Sequence, residues 1–109
     1  MPNSDQAVYV FATITPKREY IEDVGNALEE LIEPTLEEPG CRVFSAFRNQ
    51  ADEGVFHLFE IFESEEAIQS HYAQQYTMDV FSQYEKWLAA PVSITKLSPN
   101  SGQSTEQFR

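Results

Sequence analysis

Residues 55–72, Val-Phe-His-Leu-Phe-Glu-Ile-Phe-Glu-Ser-Glu-Glu-Ala-Ile-Gln-Ser-His-Tyr, confine the fold more than any other stretch. The first half is β-branched and aromatic, which suits a strand. At a period of two, Phe56, Leu58, Glu60 and Phe62 share one face, and Val55, His57, Phe59 and Ile61 share the other. Both faces are largely apolar, so the strand is central and covered on each side. At Ser64 the period changes. Its hydroxyl is placed to cap a helix, and Glu65 and Glu66 sit where the positive end of the helix dipole favours carboxylates. Along that helix Ala67, Ile68, His71 and Tyr72 recur at helical spacing, which puts a histidine on the inward stripe. One carboxylate, Glu60, and one imidazole, His71, thus interrupt apolar faces and are predicted to look into a common space between sheet and helix.

The flanking chain supplies the other layers. Residues 7–15 read as a strand stopped by Pro16, which cannot donate to a ladder. A helix follows from Arg18 or Glu19, with Tyr20, Ile21, Val24, Leu28, Leu31 and Ile32 as its apolar stripe and Pro34 near its end. Glu38-Pro39-Gly40-Cys41 is a turn, 42–48 a second strand and 49–54 a polar hairpin loop. After the central strand and its helix, a break is expected around Tyr76 and Thr77. A further helix through Val80, Phe81, Tyr84, Trp87 and Leu88 is expected to end at Pro91, before a last strand over 92–97. Residues 1–97 therefore form one domain, and 98–109 a polar, Ser/Gln-rich tail. The order β-α-β-β-α-(α)-β predicts an α+β, ferredoxin-like fold: a four-stranded antiparallel sheet with helices on one face. Large side chains such as Phe44 and Phe47 fall on opposite faces of their strand, and Tyr9 and Phe11 are likewise assigned to opposite faces of theirs. A second copy of the chain is the simplest cover for the face without helices.

Charge and composition exclude several classes. Seven basic against eighteen acidic residues give a formal charge of −11, which repels nucleic acid and anionic membrane surfaces. The single cysteine, Cys41, cannot form an internal disulfide and fits a reducing cytoplasm. There is no apolar run of membrane-spanning length and no signal-peptide pattern at the N-terminus. The two histidines lack metal-ligand spacing, and none of the four glycines builds a phosphate-binding loop. No serine lies in a nucleophile elbow. The partners expected are a small-molecule substrate and a second copy of the chain, with no metal and no bound cofactor.

The opening strand to Pro16, the Glu38-Pro39-Gly40-Cys41 turn, the strand Phe56–Phe62, the segment Ser64–His71 and Ala90-Pro91 before the last strand together resemble the antibiotic biosynthesis monooxygenase (ABM) family of dimeric α+β barrels. The resemblance spans roughly residues 7–97. It implies a homodimer paired through the sheets, and a reaction drawn from a varied set. Members include cofactor-free oxygenases of quinols and polyketides, an isomerase of a phosphorylated signal molecule, and haem-degrading enzymes. This chain departs from many members at Phe62 and Phe44, where they carry tryptophan and tyrosine, and at Tyr76, the place of a second histidine. The haem-degrading branch has tryptophan where this chain has His71 and histidine where it has Phe81, so haem degradation is not expected.

Dioxygen is a triplet and reacts with an organic molecule once that molecule can release one electron; a deprotonated quinol or enol can. His71, with an ordinary pKa near 6.5, is the natural base. Glu60 either orients the imidazole or the substrate, or serves as a protonated donor. Phe56, Phe62, Tyr72, Tyr76, Phe81, Tyr84 and Trp87 are candidates to line a pocket for a flat ring. The competing readings are structural: a histidine on an apolar stripe is most often a core residue, Glu60 could pair with Arg42 or Arg48 across the sheet, and aromatic stripes are mostly core. His57, on the strand face opposite Glu60, is expected at a dimer contact or in solvent. The reading is a cofactor-independent monooxygenase of a small aromatic, quinol or polyketide-type compound with His71 as base. The alternatives are an isomerase of an enolisable metabolite using the same His71, and a non-catalytic dimeric binding module.

Overall fold

The computed structural model describes residues 6–100. Seven main elements follow one another: β1 (Val8–Ile14), α1 (Ile21–Leu36, preceded by a 3₁₀ turn at Arg18–Tyr20), β2 (Cys41–Arg48), β3 (Phe56–Phe62), α2 (Glu65–Tyr72), α3 (Gln75–Trp87) and β4 (Ser93–Leu97). The strands form one antiparallel sheet in the order β2-β3-β1-β4, so β3 and β1 are central. This is the expected ferredoxin-like α+β arrangement. Of the expected tail over 98–109, residues 98–100 carry no regular structure and the remainder lies outside the described residues.

Register explains the core. Val10 stands opposite Glu60, Ala12 opposite Leu58 and Ile14 opposite Phe56, while Phe44 of β2 meets Glu60 from the other side. These residues face the helices. Val24, Leu28 and Leu31 of α1 bury against this face, four and three apart as the stripe requires, and Leu88 closes the same core. A smaller core of Val10, Phe62 and Ile68 holds α2. Pro34 is accommodated within the last turn of α1, which ends two residues later.

The opposite sheet face carries Phe11, Phe47 and Leu97, 40–54% exposed. Tyr9 and Phe11 both belong to it; being two apart, they share a face, which corrects their assignment to opposite faces. His57 also lies here. It stacks on Phe11 with ring centroids 5.2 Å apart, and its nitrogens contact Thr13 Oγ1 (3.1 Å) and Asn49 Nδ2 (2.9 Å).

Two helix limits differ from expectation. The break between α2 and α3 falls at Ala73–Gln74, not at Tyr76 and Thr77. Ala73 closes α2 on the carbonyls of Gln69 and Ser70, and Gln74 turns extended to start α3, so Thr77 is helical and buried. At the other end α3 stops after Trp87, ahead of Pro91. Leu88 is extended because it bridges Pro16, with Lys17 N donating to the Trp87 carbonyl and Ala89 N to that of Thr15. Tertiary pairing, not proline, ends the helix.

Candidate active site

Ser64 sets the start of α2: its Oγ accepts from Ala67 N at 3.1 Å, as a helix cap does. From that start, the seventh residue of the helix is His71, which points inward and is only 3% exposed. Phe62 at 5.1 Å, Phe44 at 5.6 Å and Tyr72 at 5.7 Å surround the imidazole, centroid to centroid.

His71 Nδ1 contacts Glu38 Oε2 at 3.0 Å. The Tyr76 hydroxyl donates to the same oxygen, with the Pro34 carbonyl at 3.3 Å as its secondary acceptor. Glu38 belongs to the turn after α1, in which Cys41 N donates to the Glu38 carbonyl at 3.1 Å. Gly40 lets this turn lie against α2: a Cβ there would sit 2.4 Å from the Ala67 Cβ. The turn is also tied to the end of β3, because Glu63 N donates to the Gly40 carbonyl at 2.8 Å. Three segments distant in sequence thus hold one imidazole by its Nδ1 and leave Nε2 as its free nitrogen among the described residues.

Beside the imidazole lies a mostly apolar cavity between sheet and helices, walled by Glu60, His71, Tyr72, Thr77, Phe81 and Tyr84 together with aliphatic residues of β1, β3 and the β4 segment. It offers ≈ 30 Å³ to the centre of a water-sized sphere, room for about two waters. Tyr72, Phe81 and Tyr84 continue from His71 as a ladder of tilted rings, at 5.9 and 5.6 Å. Phe81 and Ile94 stand 44% and 52% exposed at its outer end. A flat ring enters only if this aromatic wall moves outward.

Glu60 is buried in the cavity wall, and neither Arg42 nor Arg48 pairs with it. Arg48 instead reaches Glu22 at 3.8 Å and lies over the Phe56 ring at 4.8 Å. Burial and then the charge of Glu38 push the Glu60 carboxyl up to about 7. The same environment pushes the Cys41 thiol up to about 12, through burial first and the charges of Glu38 and Glu60 second. Burial and the Glu60 charge raise the Tyr72 and Tyr84 hydroxyls, while burial and the bond to Glu38 raise Tyr76.

Of the residues expected at the site, His71, Glu60, Tyr72, Phe81 and Tyr84 meet around one cavity. Phe62 is fully buried behind the imidazole, Tyr76 is engaged with Glu38, and Phe56 and Trp87 pack in the larger core; none of the four lines the cavity. The carboxylate in contact with the His71 ring is that of Glu38. Nothing in the sequence around Glu38 marks it beyond its place in the Glu-Pro-Gly-Cys turn. The available signal is topological: that turn enters β2, the neighbour of β3, and so lies beside the start of α2. Among the described residues no group of three His, Cys, Asp or Glu could hold a metal ion, and no helix is long and apolar enough to cross a membrane.

This β-α-β-β-α-α-β frame, with a histidine in the wall of its cavity, defines a ferredoxin-like α+β domain. The sequence profile of the antibiotic biosynthesis monooxygenase family matches residues 7–87, and the chain belongs to that family. It is similar to Rv0793 of Mycobacterium tuberculosis, whose name proposes a monooxygenase: 30% identity over 92 residues, covering 84% of this chain and 90% of the relative. YjcS of Bacillus subtilis shares 33% identity over 63 residues, covering 58% of this chain and 60% of its own. The solved structure of Rv0793 superposes with a TM-score of 0.83 over 90% of this chain and 99% of that one. PA3566 of Pseudomonas aeruginosa has the same fold, with a TM-score of 0.84 at 21% identity over 92% of this chain and all of its own.

Proposed function

We propose that the protein is a cofactor-independent monooxygenase of a small aromatic, quinol or polyketide-type compound, with His71 as general base. The observation that carries this reading is the Nδ1 contact to Glu38. A carboxylate accepting from Nδ1–H fixes the neutral tautomer with a lone pair on Nε2, and it stabilises the imidazolium formed when that lone pair takes a proton. The proton comes from a phenol or enol in the cavity. The resulting anion passes one electron to dioxygen, giving a substrate radical and superoxide, which combine to a peroxide anion that takes the proton back from His71 as a hydroperoxide. Loss of water from the peroxide leaves a new carbonyl. One oxygen atom ends in the product and one in water, and all the electrons come from the substrate, so the route needs no bound redox group.

The small size of the cavity supports a second reading, a non-catalytic module whose pocket is filled by its own side chains. His71→Ala separates the two. As a general base its loss lowers turnover of an accepted quinol by about 10²- to 10⁴-fold per folded molecule, beyond the fall in melting temperature that follows from removing a buried, packed ring. A module gives a fall in melting temperature and no oxygen uptake in either protein. An isomerase using the same base turns over substrate without consuming oxygen.

We also propose that the active form is a homodimer whose sheets face one another. Phe11, Phe47 and Leu97 on the uncovered face support this, and sedimentation showing only a 12.5 kDa species would refute it. The lone cysteine supports a cytoplasmic setting.

A further inference from the structure

Two polar atoms of the cavity wall are left without partners. Glu60 Oε1 and Thr77 Oγ1 are buried with no hydrogen bond among the described residues, and both residues line the cavity. The residues are 5% and 1% exposed, so bulk solvent does not reach them. Orphaned buried polar groups are costly and rare, and two in one otherwise apolar cavity mark it for a ligand that completes them.

Charge narrows what that ligand is. Glu38, from the turn after α1, and Cys41 of β2 act on Glu60 or feel its charge; His71 and Tyr72 of α2 and Tyr84 of α3 share its cavity. No lysine or arginine lines the cavity, and Lys96 of β4 is bound to Glu65 at 3.2 Å from both carboxylate oxygens. An anionic ligand would meet the Glu60 carboxyl in the wall and no lysine or arginine to offset its charge.

We propose that the cavity receives an uncharged ring compound bearing an acceptor oxygen, a ketone, quinone or phenol, which takes a hydrogen bond from the Glu60 carboxyl and a second contact from the Thr77 hydroxyl. This rests on the cavity being the functional site, and it adds which group reads the ligand and which charge is refused. The carboxyl can donate only while it holds its proton, which burial and the Glu38 charge favour up to about pH 7. Once ionised it offers lone pairs alone and repels the same oxygen. Glu60 thereby becomes a binding group that works in its acid form, opposite a base on α2.

Acetophenone and benzoate test this, because they share a ring and a carbonyl and differ in charge. Titrated calorimetrically into the full chain near pH 6, acetophenone is expected to bind about tenfold more tightly than benzoate, and to lose about tenfold in affinity by pH 8.5, the scale of one hydrogen bond. In Glu60→Gln the amide donates at every pH, so affinity near pH 6 stays within about threefold of the unaltered protein and the pH dependence disappears. Glu60→Leu weakens acetophenone about tenfold near pH 6. Equal or tighter binding of benzoate, no saturable binding of acetophenone, or an unchanged pH dependence in Glu60→Gln would each overturn the proposal. Binding is read without turnover, so the two readings fail separately. A chain with no oxygenase activity but this binding pattern loses only the oxygenase reading, and His71-dependent turnover with pH-independent affinity loses only this one.

Discussion

Replacing Glu60 with glutamine isolates the energetic consequence of burying a carboxyl in the cavity wall. The folded-state value of about 7 lies above the ordinary 4.5. Between those two values the folded protein holds a proton that the unfolded chain has released. The unfolded state binds fewer protons there, so stability falls as pH rises from 4.5 to about 7 and is level with respect to this group beyond. The gap corresponds to about 3 kcal/mol in total. The amide of Glu60→Gln has the same shape and never ionises, so it lacks this slope. Urea unfolding of both proteins at pH 5, above the isoelectric point of ≈ 4.4, and at pH 8 provides the assay. The variant is expected to gain about 2–3 kcal/mol on the unaltered protein between the two pH values. The other carboxylates cancel in that difference, because both proteins carry them. A stability gap that stays constant with pH, or that moves in favour of glutamate at pH 8, would refute the burial argument.

Two further predictions concern the mount of the imidazole. Glu38→Ala leaves His71 Nδ1 and the Tyr76 hydroxyl without their shared acceptor and is expected to cost about 2–4 kcal/mol. Turnover should fall about 10- to 100-fold, and Glu38→Gln, which keeps one acceptor oxygen, should recover part of both in melting and oxygen-uptake assays. Gly40→Ala forces a methyl group to within 2.4 Å of the Ala67 Cβ and is expected to destabilise by about 1–3 kcal/mol. Adding Ala67→Gly removes the overlap at a helix cost of about 1 kcal/mol, so in urea unfolding the double variant should be more stable than the sum of the single effects.

How much of this was legible beforehand depends on whether the deciding interaction is local. The strand and helix of 55–72 were readable because period, cap and dipole signals all lie within the segment, and they place Glu60 and His71 toward one space. The limits at Ala73–Gln74 and Trp87 were not. The second of them is set by pairing with Thr15, Pro16 and Lys17, some 70 residues away, a contact no local pattern contains. Glu38 was missed for the same reason. In sequence it reads only as the first residue of a turn, and its contact with His71 arises only when β2 pairs with β3 and brings that turn against α2. Among the aromatics, periodicity could show that Phe62 and Trp87 share faces with other apolar residues. It could not separate those that face a cavity from those that face other side chains.

The hairpin between β2 and β3 has an effect on the sheet that its length would not suggest. Asn49 Oδ1 accepts from Ala51 N at 2.8 Å and from Asp52 N at 3.0 Å, so the turn dictates which way round the amide sits. Its amino end must then present a hydrogen to His57 Nε2, which can only accept, and the ring hydrogen falls to Nδ1, directed at Thr13 Oγ1. The loop therefore acts as a lock on a distant titratable ring. It selects which ring nitrogen of His57 carries the hydrogen where the imidazole stacks on Phe11. The hydrogen-bond polarity of a ring on the uncovered sheet face is thus set by two backbone amides of a solvent-exposed turn.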